Sequence, residues 1–344
     1  QSLFGYNSLK WDKRIEPVRY QEAKKSYVET LELVSANAIN KFFALATAQS
    51  NYDIASFNYA NADTLYRYAQ GRYNIGTITE NEMLQLELNR LTEETNRMNA
   101  RIEMDNCMQE LRSYLGIQEE REIRVRVSSR IPDFSINLNE ALALAYENSP
   151  DIQTMKRRKL ESESAVARAR ANAGLKADIY LRFGLTQTAD KLPEAYRNLL
   201  DQQYVSLSIS LPILDWGRGK GQVRVARSNR DLVYTQVEQS RTDFELNVRK
   251  LVKQFNLQTQ RVRIAARTDE TAQRRNEVAR KLYILGKSTI LDLNASISEK
   301  DSARRNYVSA LYNYWSLYYT LRSMTLYDFE SNKLLTEDYN LLIE

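Results

Sequence analysis

The chain has 344 residues, room for one large or two ordinary domains, with 49 Lys and Arg against 44 Asp and Glu and a formal net charge of +5. It has no histidine, one cysteine and no glycine-rich phosphate loop, which excludes His-based triads, His metal centres and an internal disulfide. An enzyme is therefore not expected, nor a cofactor, and the small basic excess is no footprint of a nucleic-acid partner.

Taken from the start, Val18–Gln70 runs 53 residues without Gly or Pro, and Thr77–Leu115 runs 39 more. Gln222–Leu285 and Lys287–Glu344 add stretches of 64 and 58. As continuous helices these would span roughly 60 to 95 Å at about 1.5 Å per residue. Runs of that length argue for coiled-coil or tubular helix packing. No apolar run reaches the 18 residues of a transmembrane helix, and no signal peptide opens the chain.

The first two helical stretches meet at "YNIGTITENE", Tyr73–Glu82. Gly76 suits the left-handed position just past a helix end, and Thr79 followed by Glu82 matches an N-cap with an acid three residues on. In the next helix Leu84, Leu88, Leu91, Met98 and Ile102 keep heptad-type spacing, and Cys107 reads as a packed thiol. After "EIRVRVS" (Glu122–Ser128), "NLNEALALAYENSPDI" (Asn137–Ile152) reads as a helix with Asn139 as its N-cap. The basic cluster Lys156–Lys159 reads as a solvated helix face.

Two segments, about 177–188 and 203–214, alternate strictly. Ile179, Leu181, Phe183 and Leu185 oppose Tyr180, Arg182, Gly184 and Thr186. Val205, Leu207, Ile209 and Leu211 oppose Tyr204, Ser206, Ser208 and Ser210. Each has the length of a tilted strand crossing a bilayer, and the same pattern also suits a half-exposed strand of a soluble sheet. A lone soluble hairpin among such long helices would be hard to stabilise. The segment between them, Ala189–Asp201, reads as a loop. Beyond, Phe244, Val248, Leu251 and Phe255, then Tyr307, Leu311, Tyr314, Tyr318 and Leu321, form heptad seams. The last two helical stretches are separated by "YILGKSTILD", Tyr283–Asp292, where Gly286, Thr289 and Asp292 repeat the earlier helix stop and capped restart.

This recurrence is part of a duplication. An offset of 210 superposes Tyr73 on Tyr283, Gly76 on Gly286, Thr79 on Thr289, and "LRS" at Leu111–Ser113 on "LRS" at Leu321–Ser323. The first repeat, 1–130, begins at the end of a strand. The second, 131–344, has a helix and two strands before its helical hairpin. A helix and a strand are accordingly expected before Gln1. The fold class expected is mixed, mainly α, with long helices beside membrane-type strands.

In this order the segments resemble the TolC family of outer-membrane efflux proteins, over essentially the whole chain. "NLNEALALAYENSPDI" is similar to the segment that opens each family repeat. "SLSISLPILDWGRGKGQVRVAR" is similar to the strand-to-helix crossing, with Pro212, Trp216 and Gly217 in place. The stretch from Leu282 to Ser323 is similar to the periplasmic hairpin.

The resemblance implies a TolC-like homotrimer in the outer membrane, in contact with its lipid. Its strands would join one shared β-barrel and its helices an α-barrel with a long periplasmic part. It implies a passive exit duct of a tripartite efflux or type I secretion system, served by a periplasmic adaptor protein and an inner-membrane transporter. Glu122–Ser128 and the tail from about Leu326 would lie near an equatorial belt. The turns would be periplasmic tips, with Gly76, Thr77, Thr79, Gly286, Lys287 and Thr289 docking the adaptor. Asp292, Tyr283, Glu82 and Tyr73 would line the entrance. Ser288 stands where the family's best-known member carries a gate arginine, and Ala295 where it carries a second acid, so a closed state held by that arginine pair is not expected here. The other class of protein compatible with long heptad helices is a soluble coiled-coil or membrane-shaping scaffold, which would explain neither the alternating strands nor the duplication.

Overall fold

In the computed structural model, which describes residues 5–118, 122–128, 131–186, 200–210 and 214–335, helices dominate. The elements are α1 (Ser8–Asn74), α2 (Glu80–Tyr114), α3 (Leu138–Asn148), α4 (Pro150–Asn172), β1 (Lys176–Thr186), β2 (Leu200–Ser210), α5 (Arg218–Ile284) and α6 (Ile290–Thr325). A short ribbon of β3 (Tyr327–Asp328) and β4 (Lys333–Leu334) follows. The duplication is visible in helix length: α1 and α5 each have 67 residues, and α2 and α6 have 35 and 36. The chain divides into two compact units, Gln1–Tyr27 with Glu147–Asn247, and Val28–Tyr146 with Val248–Glu344. Each unit draws on both repeats, and the division falls inside α1 and α5.

In the first unit polar groups link the helices beside buried apolar side chains such as Ile15, Val166 and Val237. Arg157 of α4 bridges Glu22 of α1 at 2.6 Å and Glu161 at 3.1 Å, and Thr154 donates to Glu22 at 2.9 Å. The guanidinium of Arg157 holds the Glu22 carboxyl below the usual carboxylate range. Lys159 reaches Glu238 of α5 at 2.8 Å. The basic cluster is thus only partly the solvated face expected: Arg157 and Lys159 are half-buried and tie α4 to α1 and α5, while Lys156 is exposed.

The two strands pair antiparallel with Ile179 opposite Leu207, Leu181 opposite Val205 and Tyr180 opposite Ser206. This register gathers the apolar side chains on one face and Tyr and Ser on the other, because side chains alternate with period two. Within the protomer the apolar face is bare: Phe183 is 73% and Val205 71% exposed. Strand bounds differ from expectation. Leu200 and Asp201, placed in a loop from sequence, pair with Thr186 and Leu185. Leu214 lies beyond the strand. Residues 187–188 and 211–213 fall outside the described residues, as does most of the intervening loop.

The second unit holds a large apolar core. Phe255 (0% exposed) packs on Phe134, Tyr314 and Tyr318 with ring centroids 5.1 to 5.9 Å apart. Val248 of the same helix, and Leu311 and Leu321 of α6, are buried as well, as heptad spacing predicts. A smaller cluster joins α1 and α2 through Leu45, Ala48, Met104 and Leu111, with Cys107 packed against it. Burial raises the Cys107 thiol pKa, which agrees with a packed thiol.

The segment 122–128 forms no strand. Ile123 and Val125 pack on this cluster, and the Gln49 amide substitutes for a neighbouring strand. It donates to the Ile123 carbonyl at 3.1 Å and accepts from the Val125 N–H at 3.2 Å.

Two expectations are corrected. The cap of α3 is Asn137, whose side-chain Oδ1 accepts from the N–H groups of Asn139 and Glu140, so Asn139 is already inside the helix. That helix also stops at Asn148. Ser149 caps a separate α4 that starts on Pro150, because proline lacks the N–H that an uninterrupted helix needs and suits a first helical position. The α2 stripe of Leu84, Leu88, Leu91, Met98 and Ile102 is not covered by the protomer's own helices: these side chains are 44% to 66% exposed.

Candidate functional site at the paired turns

Both turns lie in the second unit and share the same backbone closure and the same capping box. At the end of α1, Gly76 adopts φ +73°, its N–H donates to the Tyr73 carbonyl, and the Thr77 N–H donates to the Arg72 carbonyl, both at 2.9 Å. At the end of α5, Gly286 adopts φ +69°, and the N–H groups of Gly286 and Lys287 donate to the carbonyls of Tyr283 and Leu282, again at 2.9 Å. This pair of bonds is the Schellman closure, which requires a left-handed residue after the helix. Nothing lies within 4 Å of a Cβ built on either glycine. Backbone conformation alone demands glycine there.

Each restart is a complete capping box. Glu82 N–H donates to Thr79 Oγ1 at 3.2 Å while Thr79 N–H donates to Glu82 Oε2 at 2.9 Å. Asp292 N–H donates to Thr289 Oγ1 at 3.2 Å, and Asp292 Oδ2 accepts from the Thr289 hydroxyl at 2.7 Å and its N–H at 3.3 Å. Ser288 adds a third donor to the same oxygen at 3.3 Å. These bonds favour the charged forms, so both carboxyls sit below their ordinary range. For Glu82 the main cause is the Thr79 N–H, and for Asp292 the Thr289 hydroxyl. The capping contribution is then present above the ordinary carboxylate range and lost as pH falls through the lowered values.

The turns share a groove of about 550 Å³ lined by Tyr68, Arg72, Thr77, Glu82, Tyr283 and Thr289. A neighbouring apolar recess of about 210 Å³ is walled by Leu65, Tyr68, Tyr283, Leu293 and Ile297. Tyr283 lines both. Burial pushes its hydroxyl pKa up, against the opposing charge of Arg72. The structure thus brings Thr77, Thr79, Glu82, Tyr283, Lys287, Ser288, Thr289 and Asp292 to one end of the unit. Tyr73 is exposed and lines neither recess. Tyr68 and Arg72 were not legible as groove residues. The one available signal was a cation in the last turn of α1, which also suits the helix dipole.

The strand-to-helix crossing belongs to the first unit, and Pro212 falls outside its described residues. Trp216 stands 92% exposed at φ +52°, and Gly217 follows at φ +81°. Asp215, which the sequence did not single out, accepts from the N–H groups of Gly217 at 3.0 Å and Gly219 at 2.8 Å and so caps α5. A Cβ on Gly219 would lie 2.8 Å from Asp215 Oδ2 and 2.9 Å from Ala173 Cβ at the end of α4. We expect Gly219→Ala to cost about 1–3 kcal/mol by overpacking. Thermal unfolding would register that loss, and an unchanged midpoint would contradict the close approach.

Among the described residues no cluster of His, Cys, Asp or Glu could hold a metal ion. No described helix is long and apolar enough to cross a membrane.

Comparison with known proteins gives a consistent result. The family model described as "Outer membrane efflux protein" matches residues 141–325, more than half of the chain. Outer membrane protein TolC of Escherichia coli (strain K12) is 21% identical over 311 residues, covering 87% of this chain. The chain spans about three-fifths (61%) of that relative's length. The CmeC outer membrane channel of Campylobacter jejuni superposes with a TM-score of 0.75 at 16% identity, over 97% of this chain and 70% of its own. The outer membrane protein VceC of Vibrio cholerae superposes at 0.69 and 16% identity, over 92% and 76%. At such identities the likeness is one of fold.

Proposed function

The chain belongs to the outer membrane efflux protein family, and from that premise we propose that it is the outer-membrane exit duct of a tripartite efflux or type I secretion system. Three copies form the duct, with a long periplasmic part. A periplasmic adaptor protein and an inner-membrane transporter complete the system and supply the energy. The duct itself carries out no reaction. The observation that most favours this reading is the pair of matched turns around one groove, joined in the same chain to a β-hairpin with a bare apolar face. A water-soluble scaffold would have no use for that face. In a closed barrel it meets lipid, while Tyr180, Ser206 and Ser208 face water. Trp216 then sits at the membrane interface beside the crossing formed by Pro212 and Gly217, where an exposed indole is favoured.

In this reading the tips dock the adaptor through Gly76, Thr77, Thr79, Gly286, Lys287 and Thr289. The entrance is lined by Asp292, with Tyr283, Glu82, Tyr73 and Ser288 around it. Three copies of Asp292 near one axis repel each other and attract cations. Ser288 donates to Asp292 instead of opposing it with a positive charge.

Single-channel recording of the purified protein in planar bilayers tests the duct: discrete conductance is expected, and its absence overturns the reading. The gate is tested in the same recordings. Asp292→Ala removes both cap and charge, whereas Asp292→Asn removes the charge and keeps an acceptor for the Thr289 N–H. Both are expected to raise conductance or reduce block by divalent cations. Unchanged conductance and block in both would sink the gate assignment.

A further inference from the structure

In the first unit, cations gather where helix gives way to strand. Between Glu163 and Asp178 the chain has no acid and carries Arg168, Arg170 and Lys176. Between Asp215 and Asp231 it again has no acid and carries Arg218, Lys220, Arg224, Arg227 and Arg230. These two runs hold a charge of +8, more than the +5 of the whole chain, so the remaining residues together are net negative.

The fold brings the two runs together. Arg168 and Arg170 stand in the last two turns of α4, Lys176 opens β1 opposite Ser210, and Arg218, Lys220 and Arg224 fall in the first two turns of α5. The end of α4 touches the start of α5, where Ala173 approaches Gly219. The start of α1 joins them: the Tyr6 hydroxyl is 2.5 Å from Ser164 Oγ, and Arg168 stacks over the Tyr6 ring at 4.6 Å. The duplication superposes Lys10 on Lys220 and Arg14 on Arg224, so α1 brings the same two cations to its own start.

The charge at this junction is not neutralised within the unit. Farther from the strands, cations meet partners: Arg157 pairs with Glu22, Lys159 with Glu238 and Arg230 with Asp231. Near the strands, Arg170, Arg218, Lys220 and Arg224 are exposed, and among the described residues none of the four has an ion pair. Asp215, the acid beside them in sequence, is taken up by the N–H groups of Gly217 and Gly219. Helix stability does not call for this placement at α5. Cations at a helix N-terminus oppose the macrodipole, and the first turn of α5 has no acid.

We propose that this collar binds the phosphate groups of anionic phospholipids in the leaflet from which the helices emerge. The apolar face of the β-hairpin runs down to Ile209, one residue from the Lys176–Ser210 pair. A lipid whose chains lie against Leu207 and Ile209 therefore presents its headgroup to the collar. Trp216, 92% exposed, marks the same level. Phosphate supplies the negative charge that the junction lacks, and the planar guanidinium fork matches it with two hydrogen bonds. A zwitterionic headgroup carries its own ammonium, so the collar selects lipid of net negative charge. The continuity with the strands favours lipid over an acidic protein. The inference rests on the reading that the hairpin lies in a membrane.

The test uses the purified full protein in neutral detergent, offered equal amounts of phosphatidylglycerol and phosphatidylcholine, with the retained lipid counted by mass spectrometry. Phosphatidylglycerol is expected to be retained in preference. One cation near an anionic lipid surface contributes about fivefold in affinity, so Arg218→Gln, Lys220→Gln and Arg224→Gln combined should cut the preference by about tenfold or more. Arg261→Gln, Arg267→Gln and Arg274→Gln combined remove the same charge from the second unit and should leave it unchanged. No preference in the parent, or an equal loss in both variants, overturns the proposal. Displacement of the lipid by inorganic phosphate at the same concentration would make the junction a free-anion site and overturns it too. If the first variant fails to assemble, the parent decides: its preference should fall as salt rises, and a salt-independent preference overturns the collar. Recording in neutral bilayers separates the two readings. A parent that conducts but shows no lipid preference overturns the collar alone, whereas one that keeps the preference without conducting overturns the duct.

Discussion

Arg322→Ala is expected to cost about 3–5 kcal/mol, the usual penalty for removing one partner of a buried ion pair. Arg322, near the C-terminal end of α6, has a side chain only 16% exposed. It donates to Glu32 of α1 at 3.0 Å and approaches Asp328 of β3 at 3.6 Å. Its guanidinium also stacks over the Tyr319 ring at 5.0 Å. Asp328 in turn accepts from the Tyr318 hydroxyl and the Glu330 N–H.

Truncating the arginine strands two carboxylates among aromatic rings, with no cation to offset their desolvation. In the unaltered chain burial opposes the charge on Asp328, but the Tyr318 hydroxyl, the backbone donors and Arg322 outweigh it and hold the carboxyl below its ordinary range. Its contribution is present above that range and lost as pH falls through the lowered value. Without Arg322 the Tyr318 hydroxyl and the backbone donors still hold the Asp328 carboxylate, so the variant should keep the parent's direction and lose stability as pH falls. Denaturation at pH 7 and pH 5 measures both effects. A loss below 1 kcal/mol at pH 7 would show that water reaches the cluster.

Gly286→Val is expected to abolish export while assembly persists. The backbone at φ +69° is open to glycine and closed to a β-branched residue, at roughly 1–2 kcal/mol for the left-handed conformation of an ordinary L-residue. No neighbour crowds the site, so relief comes by rotating the turn out of the left-handed region. That breaks the bonds to the Tyr283 and Leu282 carbonyls and displaces the Thr289–Asp292 cap. The damage is confined to the tip, far in sequence from the apolar seam around Phe255. Gly76→Val should act alike on the other tip. Export, adaptor crosslinking and trimer content measured together decide the matter. Normal export and crosslinking would mean that the tips are not the docking surface.

Short-range features were legible from sequence because their causes are short-range. A left-handed residue, a threonine three residues on and an acid three after that specify a helix stop and restart within ten residues. The structure reproduces both turns, Gly76–Glu82 and Gly286–Asp292. The alternation of Ile179–Leu185 against Val205–Ile209 likewise required only period-two geometry. Sequence and structure part where two local signals compete. Asn137 and Asn139 are both good caps, and the choice of Asn137 depends on where the preceding chain turns. At Ser149–Pro150 the apolar pattern continues through the break and predicts helix interior. Asp215 and Gly219 carry no local signal because their importance comes from α4, whose last turn ends at Ala173, 46 residues before Gly219.

Heptad spacing on α2 and on α6 is equally regular, yet Leu311 and Leu321 are buried while Leu88 and Met98 are bare. Periodicity establishes that a helix has an apolar face, since side chains three and four apart share a side. It carries no information on which partner covers that face. That depends on which helix the chain folds back against, through contacts such as Asn58 with Asp301 that are hundreds of residues apart in sequence. Helix ends, strand alternation and the duplication were therefore matters of local chemistry. The groove at Tyr283 and the uncovered stripe on α2 emerged from long-range packing.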